Sequence, residues 1–207
     1  MFNQFKNKFS VYTTIENVPI SIADIPFKYA ELLLEMGGTT FNKGLYSIHT
    51  FESSLKWADI LSKYFQGYKN EILPFAYDWW GRQFAVSKQG HEGIYVFDPV
   101  DLGDYLIDGN IIDFHNSTLT QDVELLDNAL FQDELKFLAV DGLSPFKAIG
   151  YKIPLFLNGE AKLENTETVD AELYWALQYQ MYEQVKNLPD GTRISNVGII
   201  PNFKNDT

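Results

Sequence analysis

The chain has 207 residues, 45% of them hydrophobic and none of them cysteine, and its 28 acidic and 16 basic side chains give a formal net charge of −12. That makeup excludes a disordered or fibrous chain, a disulfide framework, a thiol nucleophile and a thiolate metal site. The negative field repels nucleic acid and anionic membrane surfaces and attracts a basic protein, although the same charge also serves plain solubility.

The opening MFNQFKNKFSVYTT lacks the continuous apolar run of a signal peptide, and no stretch approaches the ~20 apolar residues of a membrane span. A soluble, cytoplasmic protein is therefore expected. Residues 1–23 place Phe2, Phe5 and Phe9 at helical spacing and then turn β-branched without clear caps, so they read as an N-terminal extension of no assigned structure. From about Pro26, the pattern Ala30, Leu33, Leu34 with Gly37-Gly38 behind it predicts a short amphipathic helix. A turn at 41–45 feeds a strand from Leu45 to His49, and Thr50 caps a second helix whose Phe51, Leu55, Ala58, Leu61 and Phe65 share a face and which Gly67 ends.

The middle third reads as an antiparallel meander: a strand over 72–79, a turn at Trp80-Gly81-Arg82, strands over 83–87 and 94–97, and Asp98-Pro99 as a stop. A polar link over 101–104 follows, then a strand-like Ile111 to Phe114, then a third helix with Val123, Leu126, Leu130 and Phe137 on one face, closed by Asp141-Gly142. The stretch from 149 to 191 is the most organised. Tyr151 to Leu157 reads as a strand closed by the Asn158-Gly159 turn, with Pro154 placing it at a sheet margin. A long helix capped by Thr168 or Asp170 carries Leu173, Leu177, Met181, Val185 and Leu188 as its apolar stripe, with Glu172, Glu183 and Lys186 outside. Trp175, Tyr179 and Tyr182 form a second, aromatic stripe, read either as wedged between the sheet and another element or as an exposed binding face. Pro189-Asp190-Gly191 stops the helix, and one short strand from Ile194 to Ile200 precedes a polar tail. The expected class is α+β, with a mainly antiparallel central sheet flanked by helices in a single domain over 1–207.

Motifs for chemistry are sparse. His49, His91 and His115 lie far apart without metal-ligand spacing, and Asp98, Asp101, Asp104 and Asp108 lack the glycine and glutamate of a calcium loop, so neither a metal nor a cofactor is expected. No nucleophile elbow, phosphate loop or dinucleotide turn occurs. The most unusual local feature is Asp78-Trp79-Trp80-Gly81-Arg82, where aromatic, acidic and basic groups meet at a turn and suit either recognition or packing.

Tyr151 to Gly159, Asn165, Tyr174-Trp175, Gln180 and Leu188 to Thr192, supported by Gly37-Gly38, Gly44-Leu45-Tyr46 and the Asp78, Gly81, Phe84 hairpin, carry a resemblance. The chain resembles the SUKH superfamily of bacterial immunity proteins, and more closely its type VI secretion branch directed against DNase toxins, which has a GAD-related front portion. The likeness is dense over 145–194, looser over 24–115 and absent from the tail. It marks 24–194 as the core and 195–207 as a tail. Where the family commonly has a glycine after the buried strand, Asn158 stands here, a residue that also accepts turn geometry. The resemblance implies a SUKH-like fold and a non-catalytic cytoplasmic protein that neutralises a cognate toxin, often a basic nuclease, with no shared active site to carry over.

Three functions remain in view: toxin neutralisation, a carbohydrate-active hydrolase using a carboxylate pair, and a regulatory interaction module. For the first, the expected toxin-binding residues are Asp78, Trp80, Asp98, Asp101 and Asp104, acidic and aromatic groups on the meander loops facing a basic protein. The sequence sets no oligomeric state.

Overall fold

A computed structural model describes residues 1–20, 25–122, 124–189, 191–194 and 196–198. Its centre is a seven-stranded antiparallel sheet whose spatial order follows the chain: β1 (Val11–Thr14), β2 (Thr39–Phe41), β3 (Tyr46–Ile48), β4 (Ile72–Asp78), β5 (Gln83–Ser87), β6 (Ile94–Phe97) and β7 (Asp104–Ile107). A separate pair, β8 (Lys147–Tyr151) and β9 (Thr166–Asp170), is also antiparallel. Helices α1 (Asn3–Lys8), α2 (Phe27–Met36), α3 (Phe51–Tyr64), α6 (Asn128–Phe137) and α7 (Ala171–Val185) flank the sheets, so the α+β class holds.

Strand alternation sorts the core into two clusters. Leu73, Phe75, Phe84, Ile94 and Val96 point to the larger one, where they meet Phe2 and Phe5 of α1, Tyr29 and Leu33 of α2, and Phe131 and Leu135 of α6. Ile72, Ala85 and Phe97 point the other way, toward Trp57 and Leu61 of α3 and Trp175 of α7. Every residue of β4 is buried, as expected of a central strand covered on both faces.

Residues 1–14, read from the sequence as an extension, are part of this architecture. The three phenylalanines at helical spacing are buried, and β1 is one edge of the sheet, paired with β2. Thr50 caps α3 as expected, in a reciprocal capping box with Ser53, although Trp57 and Ile60 are buried where Leu55 was expected.

Several expectations are corrected. Ile111 to Phe114 is helical: Asn110 accepts from the Ile112 and Asp113 amides and starts α4 (Ile111–Asp113), a π-helical turn Phe114–Thr118 and α5 (Leu119–Gln121). The cap outweighs the β-branched pair. The link over 101–104 runs into the unanticipated strand β7. The closing strand sits at 147–151 and not at 151–157, because Pro154 starts a 3₁₀ turn, Leu155–Leu157, with Asn158 at φ 64° behind it. In the third helix Phe131 and Leu135 are buried while Phe137 is exposed. Val123 and Asp190 lie outside the described residues; of the expected strand at 194–200, residues 194 and 196–198 are not in a strand and the others are not described.

Helix α7 also presents a different face. Asp170 caps it, but the buried residues are Ala171, Tyr174, Trp175 and Gln178, while Leu173 and Leu188 are exposed and Leu177 and Glu183 are half-buried. The aromatic stripe won because Trp175 finds a slot between Trp57, Tyr64 and Phe65, with ring centroids 6.1 to 6.2 Å away, and donates from Nε1 to the Gly81 carbonyl at 2.8 Å. Trp175→Ala is therefore expected to cost about 3–5 kcal/mol, and Leu177→Ala less than the 2–5 kcal/mol of a fully buried leucine. Denaturant unfolding of both variants checks the order, and the reverse order contradicts the face assigned here.

Candidate functional site

The β4–β5 turn is the anchor. Gly81, at φ +80°, provides the left-handed residue the turn needs, and its carbonyl receives both the Trp175 indole and the Gln83 amide. Asp78 lies beneath the turn. Its carboxylate accepts from the Trp80 and Arg82 amides at 3.0 Å and from Arg82 Nε at 2.6 Å. Burial raises the Asp78 carboxyl pKa, and the Arg82 charge and these hydrogen bonds oppose the rise. Arg82 extends further, from Nη2 to the Leu125 carbonyl at 2.6 Å and from Nη1 toward the Tyr105 hydroxyl at 3.4 Å, tying the turn to β7.

Asp78 is thus a structural ion-pair partner with a side chain 0% exposed, and it cannot face a partner protein. Trp80 is half-buried, its ring tilted against the Trp79 ring 4.1 Å away and the Tyr151 ring 5.4 Å away. Of these two tryptophans Trp79 is the fully buried one, donating to the Leu126 carbonyl.

The other three expected residues are brought together at the opposite sheet edge from β1. Asp98 directly follows β6, Asp101 stands in the connecting loop and Asp104 begins β7. Asp98 is half-buried and accepts from the Val100 amide at 2.8 Å; Asp101 is exposed and accepts from the Gly103 amide at 2.8 Å, so both shape the loop. Burial lifts the Asp98 carboxyl to about 6, with the Val100 hydrogen bond opposing and the nearby Asp101 charge adding to the rise. Asp104 is exposed and accepts from the Tyr68 hydroxyl at 2.5 Å. Among the described residues, none of these three nor Asp108 is in an ion pair, whereas Asp78 is.

Sequence reading missed the apolar part of this margin. Tyr105 is 42% and Leu106 52% exposed, consecutive on β7 and so on opposite faces of the same edge, among the aspartates. Gly103 and Asp108-Gly109 bracketing a β-forming Tyr-Leu-Ile run were the signal that could have revealed the strand.

The two buried histidines are structural. His115 donates from Nδ1 to the Ile111 carbonyl at 2.7 Å, leaving Nε2 to accept from the Tyr46 hydroxyl at 3.2 Å. The Gln83 amide nitrogen is committed to Gly81, so its oxygen accepts from His49 Nε2 at 2.9 Å. Burial lowers both imidazoles to about 4. His91 is exposed. Among the described residues no three His, Asp or Glu side chains group as metal ligands, and no helix is long and apolar enough to cross a membrane.

No protein-family model matches the chain, and no curated protein matches it in sequence. The fold is similar to the crystal structure of Atu4351 from Agrobacterium tumefaciens, with a TM-score of 0.62 at 16% identity over 87% of this chain and 89% of that one. At that identity the likeness concerns the fold alone.

Proposed function

We propose that this protein is a non-catalytic immunity protein that binds and neutralises a cognate toxin of basic character, with a secreted nuclease as the best-fitting class. The observation that carries the reading is the margin around β7, where Asp98, Asp101 and Asp104 stand without ion-pair partners among the described residues beside exposed Tyr105 and Leu106. Carboxylates of this kind speed encounter with a cationic surface, and the apolar side chains beside them supply the contact area that charge alone lacks. The net charge of −12 and the sequence resemblance to SUKH immunity proteins support the same reading. Relative to the sequence-based set, the surface keeps Asp98, Asp101 and Asp104, gains Tyr105 and Leu106, and loses Asp78, while Trp80 contributes only its exposed part.

The test is the association rate with the product of the adjacent reading frame. Replacing Asp98, Asp101 and Asp104 together by Asn is expected to slow association roughly tenfold at low salt and to flatten its dependence on ionic strength, with an unchanged circular dichroism spectrum. Identical kinetics in wild type and variant would move the interface elsewhere.

One observation favours a second reading. A carboxyl held near pH 6 beside another acid, as at Asp98, suits a general acid, so a hydrolase with a carboxylate pair would need Asp98. Glycoside hydrolysis abolished by Asp98→Asn would support it.

A further inference from the structure

We propose that β7 is a docking edge on which a basic, extended segment of the partner adds as an eighth, antiparallel or parallel, strand of the large sheet. This rests on the reading of the protein as a binder of a basic partner and specifies how that partner is held.

The order of the sheet makes β7 its last strand, paired among the described residues only with β6. An edge strand keeps half of its main-chain donors and acceptors facing away from the sheet. Which half follows from the register. The Asp98 amide donates to the Gly103 carbonyl at 3.0 Å, and the partners run Val96 to Tyr105 and Ile94 to Ile107. Hydrogen-bonded pairs alternate along an antiparallel ladder, so Tyr105 and Ile107 address β6, while the amides and carbonyls of Asp104 and Leu106 point outward. An incoming strand meets those groups.

The two faces beside the edge are unequal in a way that selects the occupant. Tyr105 shares its face with Val96 and Ile107 at the margin of the larger core, while Leu106 shares its face with Tyr95 and lies against Gly93. A strand added here thus finds one aromatic and one aliphatic neighbour, the diagonal and direct contacts that stabilise cross-strand pairs. Asp101, Asp104 and Asp108 are exposed along the same short stretch. Like charges directly opposite one another disfavour two copies of β7 pairing with each other, which is how edge strands are kept from self-association. A segment with Lys or Arg at alternate positions meets the opposite balance: its cations face the aspartates and its backbone completes the ladder. The other free edge, β1, carries no charged residue in Val11–Thr14 and has an irregular register against β2, so it offers neither the charge selection nor a regular template.

The experiment uses the full chain and a short synthetic peptide of alternating Lys and Val, with an alternating Glu and Val peptide as control. Three results are expected. The Lys peptide binds and the Glu peptide does not; binding protects the Asp104 and Leu106 amides from hydrogen exchange in the wild-type protein; and Leu106→Pro, which removes one outward amide without touching the β6 ladder, weakens binding roughly tenfold or more. Leu106→Lys, a second variant that keeps the amide, is expected to weaken binding through its charge and the lost aliphatic contact, and guards against misfolding of the proline variant. Equal binding by wild type and Leu106→Pro, or protection confined to amides outside β7, overturns strand addition and leaves only loose charge attraction. A concentration-dependent dimer whose formation protects the same amides overturns the choice of occupant in favour of a second copy. The product of the adjacent reading frame separates this inference from the function it builds on. Capture of that product undiminished by Leu106→Pro refutes strand addition while leaving neutralisation standing, whereas no capture by the wild type refutes neutralisation while the peptide results still decide the edge.

Discussion

Arg82→Met is expected to destabilise the protein by about 3–5 kcal/mol, the scale for removing one partner of a buried ion pair. The guanidinium pairs with a carboxylate that has no exposed area, and at the same time satisfies the Leu125 carbonyl and reaches Tyr105. Without it, the charge of Asp78 is held only by two backbone amides, and a half-buried acceptor on the loop before α6 loses its donor. Asp78 then holds its proton to a higher pH, so the deficit shrinks on mild acidification. Arg82→Lys should recover little, because an ammonium cannot reach the carboxylate, the carbonyl and the phenol in one plane. Pairing Arg82→Met with Asp78→Asn should recover much of the loss by removing the unpaired charge. Urea unfolding of the wild type and these three variants at neutral pH and near pH 5 checks this, and a loss below about 1 kcal/mol for Arg82→Met would contradict the role assigned to the pair.

The second large effect is a fall in stability on acidification, driven by His49 and His115. Burial holds both near 4, against an ordinary 6.5 in the unfolded chain. Between those values the unfolded state binds more protons than the folded one, so stability rises with pH through the window and is lost as pH falls from 6.5 toward 4. Each histidine is worth about 3 kcal/mol over the full window. Asp98 acts with the opposite sign: lifted from 3.8 to about 6, it gives stability that is complete below 3.8 and lost as pH rises through 6, so it offsets part of the histidine effect between those values. Stability is therefore still expected to fall from about pH 6.5 toward 4, but more gently than two histidines alone would give, because Asp98 titrates across the same range. His115→Gln keeps the fold polar at that site and should remove about one proton from the uptake on unfolding. An unchanged slope in that variant would mean His115 is not held neutral.

Much of the fold was legible in the sequence because the signals agreed. Strands β4, β5 and β6 are bounded by turn residues and alternate between two cores, and Thr50 marks the start of α3 by the cap it makes. Misreadings arose where two signals competed. Helix α7 is apolar on more than one side, and only tertiary packing decides that Trp175 enters the core while Leu173 stays in water. Ile111 and Ile112 look like a strand until the Asn110 cap is counted, and β7 looks like a link because it starts on an aspartate and faces solvent. The site divided the same way. Asp98, Asp101 and Asp104 stand together because a hairpin joins β6 to β7; their closeness in sequence suggested the acidic cluster but not the strand that holds it. Nothing local told Asp78 apart from them: its burial follows from the guanidinium four residues on, packed beneath the turn.

Neutralisation of a basic partner is the central proposal for this protein. Co-expressing it in a bacterial host with the product of the adjacent reading frame measures this in one step, as survival of the host and as co-purification of the two chains. Rescue by the wild type, a stable complex sensitive to salt, and weakened rescue by the Asp98, Asp101 and Asp104 to Asn variant are the predicted results. Full toxicity with no complex formed, or rescue indifferent to both salt and the triple substitution, would contradict it.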